Sequence, residues 1–332
     1  MKKIVILLLI ALTMINGFNL YAYEISKDDT LYIGGDSVGI KLNNGVYIVG
    51  TFGIENKGQI YKPWAMSGLK EGDRIVSLNG VDVETTRDLL NVLNETKGSE
   101  ISIVYERNNR IFEATITPAL DDDSYSLGLY IKDSILGVGT LTYYISEANI
   151  FGSLGHRIGD DDFISGEIYE AKVTDIIYPT NDRAGEKRAT IISDSIGNIV
   201  KNTETGIHGN GSASFDTAGM PRLGFKTRDE IKLGKAEIWT CISGTNVEKF
   251  EIEIIKLENQ KKKDVKGIVL KVTDPRLISK TGGIIQGMSG SPIVQDDKLI
   301  GAVTHVSLND STIGYGIYIE WMFMDMGITV VE

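Results

Sequence analysis

Cysteine is nearly absent: Cys241 stands alone in 332 residues. One thiol cannot close an internal disulfide, so each domain must stand on its apolar core. It falls in Glu237-Ile238-Trp239-Thr240-Cys241-Ile242, whose alternation makes it a buried strand thiol rather than a nucleophile. Histidine is scarce too. With only His156, His208 and His305 beside one cysteine, a zinc site has little to draw on, and neither metal nor cofactor is expected. Basic residues are in the minority, 34 against 45 acidic for a formal net charge of -11, so no basic face is available to displace counterions from nucleic acid. Long apolar runs are missing as well. The run at residues 4–15 follows Lys2-Lys3 and precedes Asn16-Gly17, the layout of a secretory signal, and is too short for a comfortable membrane span. Leu20-Tyr21-Ala22 matches a small-x-small cleavage site poorly, so residues 1–22 are expected as a signal peptide or a retained N-terminal anchor. Either way the bulk of the protein is expected outside the cytoplasm.

What the chain does have is apolar content, 42%, in short β-patterned runs, and a length that suits two domains. Residues 23–30 read as a polar spacer. From 30 to 120 the pattern is compact: a strand at 46–49, an Asn79-Gly80 hairpin turn, strands at 101–105 and 111–116, and an amphipathic helix at 85–96 with Leu89, Leu90, Val92 and Leu93 on its apolar side. Asp121-Asp122-Asp123-Ser124 reads as a linker. Beyond it, strands are predicted at 127–131, 137–144, 167–178, 189–192, 235–242, 250–256 and 267–272, with one helix at 320–326 and loops across 194–228. This is a mainly β chain, with a barrel or paired-barrel pattern after residue 124.

One stretch carries chemistry. In Gly287-Met288-Ser289-Gly290-Ser291-Pro292, small residues around a serine allow a tight turn that lifts the hydroxyl clear and leaves the amides of Gly287 and Ser289 free to receive an oxyanion. From these residues alone, a nucleophile and a hairpin turn that happens to contain serine are level readings. A nucleophilic serine requires a base. His156, on the Gly-flanked bend Leu154-Gly155-His156, is the first candidate; His305, on the strand after the serine hairpin, is the second; His208 falls in a stretch that reads as flexible loop. The carboxylate to orient the ring could be Asp160, Asp161 or Asp162, close in sequence to His156, or Asp274, fifteen residues before Ser289. The Asp274-Pro275 step equally suits a plain helix N-cap.

Three resemblances bear on these readings. The serine hexapeptide resembles the Gly-Asp-Ser-Gly-Gly-Pro signature of chymotrypsin-type proteases, departing at Met288 and Ser291. Residues 65–80 resemble the Ala-x-x-Gly-Leu-x-x-Gly-Asp-x-Ile-x-x-x-Asn-Gly run of PDZ domains, which implies strand addition of an extended peptide. The backbone N–H groups of the loop Ser37-Val38-Gly39-Ile40 would meet the peptide's terminal carboxylate or an internal turn; the alternative is a module that only packs on the second domain and regulates it sterically. Finally, Thr273-Asp274-Pro275-Arg276-Leu277, the Ser289 block, Gly301-Ala302-Val303-Thr304-His305, Gly314-Tyr315-Gly316-Ile317 and Leu154-Gly155-His156 resemble the stage IV sporulation protein B peptidases, and the domain order agrees.

That resemblance implies a PDZ domain at 30–120 followed by a chymotrypsin-like β-barrel serine peptidase at 124–332, with His156, Asp274 and Ser289 as the triad. The short interval from Asp274 to Ser289 departs from chymotrypsin. It also implies an exported signalling endopeptidase of sporulation, crossing the forespore membrane into the intermembrane space, with residues 4–15 as a transient anchor. Such enzymes process themselves and act on a membrane-bound regulatory complex of an intramembrane protease, so that a late sigma factor is activated; the expected partners are therefore protein or peptide substrates, including the chain itself. Two other readings stand beside it: a non-catalytic PDZ adaptor, and a general envelope quality-control protease, a class that usually places PDZ modules after the catalytic domain.

Overall fold

The computed structural model describes residues 23–108, 110–159, 164–180 and 183–332. The expected signal or anchor at 1–22 and the candidates Asp160, Asp161 and Asp162 lie outside the described residues. The chain opens with β1 (Tyr23–Ser26), β2 (Leu31–Ile33) and the long β3 (Ser37–Thr51). It then passes through β4 (Ile54–Asn56), β5 (Gln59–Tyr61), β6 (Arg74–Leu78), β7 (Val81–Asp82), helix α1 (Thr86–Thr96), β8 (Ile101–Arg107), β9 (Arg110–Ile116), β10 (Ala119–Asp121) and β11 (Ser124–Ser126), and returns along β12 (Leu129–Ile145). Next come β13 (Ile150–Ser153), β14 (Ser165–Ile177), β15 (Glu186–Thr203), β16 (Gly206–Gly211) and β17 (Arg222–Phe225). The last part comprises β18 (Gly234–Cys241), β19 (Val247–Leu257), β20 (Ile268–Val272), α2 (Pro275–Thr281), β21 (Pro292–Gln295), β22 (Lys298–Val306), β23 (Ile313–Tyr318), α3 (Ile319–Met326) and β24 (Ile328–Val331).

Local chemistry explains the PDZ-like unit. Thr85 caps α1 by accepting from Asp88 N–H while the Asp88 carboxylate accepts from Thr85 N–H, a capping box that starts the helix one residue later than its apolar period suggests. Leu89, Val92 and Leu93 are buried against Val46, Ile48, Ile75 and Ile103, whereas Leu90 is 47% exposed and stands outside the apolar face. Asn79 and Gly80 both adopt left-handed φ, as the predicted hairpin turn between β6 and β7 requires. The charged stretch expected as a linker is instead the tight β10–β11 hairpin, turning at Asp122 with φ 50°.

Outside the PDZ-like core, the strand pairings form two cycles. In the first, β3 pairs with β12, β12 with β13, β13 with β16, β16 with β15, β15 with β14, and β14 back with β3. The second runs β18, β19, β20, β23, β22, β21 and back to β18. β2 and β17 stitch the two together: β2 pairs with β12 and β17, and β17 with β22.

Two expectations about organisation fail here. The PDZ-like unit does not begin at residue 30. Ser37 to Asn43 pair within the first cycle and Val38, Ile40 and Leu42 share a core with Leu141, Phe151 and Ile168, while Val46 and Ile48 of the same strand belong to the PDZ-like core. The unit is spliced into the two-cycle fold between the outgoing β3 and the returning β12. Nor are residues 23–30 a spacer: β1 pairs in parallel with β24 and buries Ile25.

Candidate active site

Ser289 sits on the turn between α2 and β21, and the turn is clamped at nearly every peptide. Gly287 and Gly290 hold φ of 89° and 92°, a region that favours glycine. At Gly290 a Cβ would meet Thr140 O at 2.0 Å and Leu154 N at 2.4 Å, so the close approach itself demands glycine. Met288 N–H donates to Ile285 O, Gly290 N–H to Val303 O, and Ser291 N–H to Met288 O. Among the described residues, the N–H groups of Gly287 and Ser289 donate to no protein acceptor, the state an oxyanion cradle needs. Thr140 on β12 organises the turn: its N–H donates to Ser289 O at 2.9 Å and its Oγ1 to Gly287 O at 2.9 Å, and Thr142 Oγ1 donates to Gly290 O at 2.7 Å. The carbonyl of Thr140 accepts from Ser153 Oγ at 2.5 Å, just ahead of His156. One residue thus ties the serine turn to the histidine segment. Sequence reasoning missed Thr140 and Thr142, although the alternation of 137–144 places both on one face.

His156 meets the serine. Its Nε2 lies 2.9 Å from Ser289 Oγ, and its Nδ1 lies 2.7 Å from Arg157 O. Because a carbonyl only accepts, Nδ1 carries the proton, which leaves Nε2 with a lone pair aimed at the hydroxyl. Burial lowers the pKa of the ring below its usual 6.5, against the upward pull of the bond to Arg157, so the ring is neutral at pH 7 and able to act as a base. Ser289 Oγ also lies 3.0 Å from Thr304 O, a second acceptor for its single proton. The bend that delivers His156 uses two left-handed residues, Leu154 and Gly155.

His305, the second candidate, packs beside His156 with ring centroids 5.2 Å apart. Its Nδ1 is buried without a partner, and burial, then His156 and Lys266, push its pKa down to about 4. It is a neutral ring packed against His156. His208 is not on a flexible loop: it is fully buried in β16, which pairs with both β13 and β15. The glycines around it mark close backbone approach, since a Cβ at Gly209 would meet Asn198 O at 2.0 Å.

Asp274 is brought to neither partner. It is the N-cap of α2, where its Oδ1 accepts from Arg276 N–H at 2.9 Å and its Oδ2 accepts from Glu251 N–H at 3.3 Å and from the Arg276 guanidinium at 2.7 Å. The Arg276 guanidinium, outweighing burial, holds the carboxyl below its usual range. In this structure the tautomer-setting task falls to the Arg157 carbonyl instead.

Ser37, Val38, Gly39 and Ile40 do not form a loop. They lie in β3, Ser37 paired with β12 alone and Val38, Gly39 and Ile40 between β12 and β14, so the backbone groups of the last three are committed to two ladders. A comparable apolar-Gly-apolar step, Leu127-Gly128-Leu129, leads into β12 with Gly128 at φ 70°. Among the described residues, β12 from Leu129 to Gly139 pairs with β3 alone, so its other edge is open, and Asp133 of that stretch accepts from Thr86 N–H at the start of α1 at 2.7 Å. Sequence reasoning passed over this step because the β3 segment carries the same pattern.

An imidazole from one cycle of strands, a hydroxyl from the other and a spliced PDZ-like unit define a PDZ-associated serine peptidase. The family model described as SpoIVB peptidase S55 matches residues 123–323, and the chain belongs to that family. A PDZ domain model matches residues 40–117. Among curated proteins, a putative zinc metalloprotease of Bartonella henselae is 31% identical over 77 residues, 23% of this chain and 22% of that protein. The zinc metalloprotease RasP of Shouchella clausii is 28% identical over 151 residues, 42% of this chain and 35% of that protein. The chain thus spans roughly a fifth to a third of these relatives. Among solved structures, a protease from M. tuberculosis in its active form aligns with a TM-score of 0.34 at 14% identity, covering 60% of this chain and 78% of that chain. The PDZ domain of an SdrC-like protein from Listeria monocytogenes aligns with a TM-score of 0.22 at 19% identity, covering 26% of this chain and 87% of that one.

Proposed function

We propose that this chain is a serine endopeptidase in which Ser289 is the nucleophile and His156 its base. The approach of Nε2 to Oγ at 2.9 Å, with Nδ1 committed to Arg157 O, is the observation that carries the reading. Ser289 Oγ attacks the scissile carbonyl and its proton passes to His156 Nε2. The oxyanion is received by the N–H groups of Gly287 and Ser289, and the protonated ring then gives its proton to the leaving amine. Water, activated by the same nitrogen, releases the acyl group. The imidazolium leans on a neutral carbonyl rather than a carboxylate, which stabilises the charge less, so a slower enzyme than a complete triad is expected.

Membership of the SpoIVB peptidase S55 family supports a narrower role. That role is an exported signalling protease of sporulation that processes itself and cleaves a membrane-associated regulator of an intramembrane protease. A peptide segment of such a partner would add as a strand along the open edge of β12 beside α1, with Leu127-Gly128-Leu129 at its carboxylate end. The purified protein with Ser289→Ala should fold normally and lose both self-cleavage and cleavage of casein; proteolysis surviving in that variant refutes the reading.

A further inference from the structure

Lys187 is a buried charge that this mechanism leaves unused. On β15 it is only 2% exposed, and its Nζ lies within hydrogen-bond distance of four acceptors for its three protons: Ser37 Oγ at 3.1 Å, Thr140 Oγ1 at 3.2 Å, Thr240 Oγ1 at 3.3 Å and Cys241 O at 3.3 Å. Every partner is an acceptor, and none is a carboxylate. A buried ammonium with no carboxylate among its described partners is costly, and satisfying its protons recovers only part of that cost. Its location gives the cost a purpose. The lysine stem lies directly under the nucleophile turn: a Cβ on Gly287 would meet Lys187 Cβ at 3.0 Å and Cε at 3.1 Å. The lysine's own N–H donates to Gln286 O at 2.8 Å.

Resting on the peptidase reading above, we propose that Lys187 is a positioning residue for acyl transfer, one that sets the two peptide planes flanking Gly287 and places a positive charge beneath the oxyanion cradle. The hydrogen-bond directions follow from proton counting. Thr140 Oγ1 has one proton; because it accepts from Lys187, that proton is directed to Gly287 O. This fixes the peptide between Gly287 and Met288. In the preceding peptide, Gln286 O is held by Lys187 N–H, and in a planar trans unit the N–H of Gly287 must then face the opposite way, where it has no protein acceptor. The ammonium also adds its field where negative charge develops, and the low dielectric there strengthens it.

Burial lowers the pKa of Lys187 to about 8, with Cys241 acting in the opposite sense, so the group is largely charged at neutral pH. Among the described residues, the titratable groups around it do not supply a counter-charge at hydrogen-bond distance. Asp36, next to Ser37, is held above the usual carboxylate range by burial, and the Cys241 thiol is pushed up to about 11. Its strand neighbours Glu186 and Arg188 alternate to the other face.

The test uses the purified full chain with p-nitrophenyl acetate as probe. Lys187→Met keeps the stem and removes the charge; kcat is expected to fall roughly 10- to 100-fold with KM changed less than about 2-fold. Its Tm should equal or exceed that of the parent, because an unpaired buried charge has gone. Thr140→Val should lower kcat comparably, and the double variant should be no worse than the poorer single one, since both act on one hydrogen-bond chain. If Lys187→Met does not fold, Thr140→Val decides. A kcat within about 2-fold of the parent in both variants overturns the proposal, as does a loss of kcat that tracks a loss of Tm in both. A parent protein that neither turns over the ester nor reacts at Ser289 overturns the peptidase reading, and this inference with it.

Discussion

The two ends of β12 face opposite demands. At Thr140 and Thr142 backbone and side-chain groups are committed to the serine turn, through bonds to Gly287, Ser289 and Gly290. At Leu129 to Asp133 the same strand is laddered on one side only, beside α1, and Tyr130 is 57% exposed. A nucleophile must be held in one place, whereas a peptide-recognition edge must leave its donors and acceptors unpaired. On the proposed reading one strand would serve both purposes, because the PDZ-like unit is spliced into it rather than tethered by a linker. Whatever docks at the open end adds to the strand that scaffolds the catalytic turn.

The comparison is broken most forcefully at the closed end. Replacing His156 with alanine should lower kcat by about 10⁴-fold or more without changing peptide binding at the far end, whereas His305→Ala should cost far less. If His305 proves the essential one in steady-state kinetics, the base has been misassigned. A smaller effect is expected at the open end. Gly128→Val puts a side chain at φ 70° and within 2.7 Å of Phe52 O, which should weaken binding of a C-terminal peptide by roughly 10-fold in a fluorescence titration while ester hydrolysis persists. Loss of both together would mean that the two ends cannot be separated.

Asp274 provides a third test. As an N-cap held by Arg276, its change to alanine should cost about 1 kcal/mol of stability in denaturant titrations with little change in kcat. A triad carboxylate would instead cost about 10⁴-fold in kcat. The sign with pH follows from its lowered folded-state pKa: the stability it contributes is present above the unfolded carboxylate pKa and is lost as pH falls through the depressed value. The smallest effect concerns His156. Burial lowers its pKa, so the neutral base survives below pH 6.5, and the acid limb of kcat/KM should fall at a pH lower than 6.5. A limb above 6.5 would point to a carboxylate paired with the ring.

What could be read beforehand was local. The amphipathic helix near 85–96, the Asn79-Gly80 turn and the glycines around Ser289 each carry their geometry in a few neighbouring residues, and the structure places them close to where those residues suggest. Elsewhere the deciding contact was distant. Val38-Gly39-Ile40 and Leu127-Gly128-Leu129 share a pattern, and only pairing with β12 and β14 separates a central strand from the entrance to an open edge. Gly206 to Gly211 looked loose because glycine permits many conformations, yet here it permits strands to touch. The interval from Asp274 to Ser289 holds α2, and the Asp-Pro step that opens it was the legible sign that the carboxylate serves its own helix.

The central claim is that one hydroxyl is made reactive by one ring, and the most direct measurement is the rate of covalent labelling by a fluorophosphonate, with the modified residue located by mass spectrometry. A single adduct on Ser289, formed rapidly by the parent and by Asp274→Asn but lost in His156→Ala, is the predicted result. Labelling that persists without His156, or a folded parent that never reacts at Ser289, would contradict it.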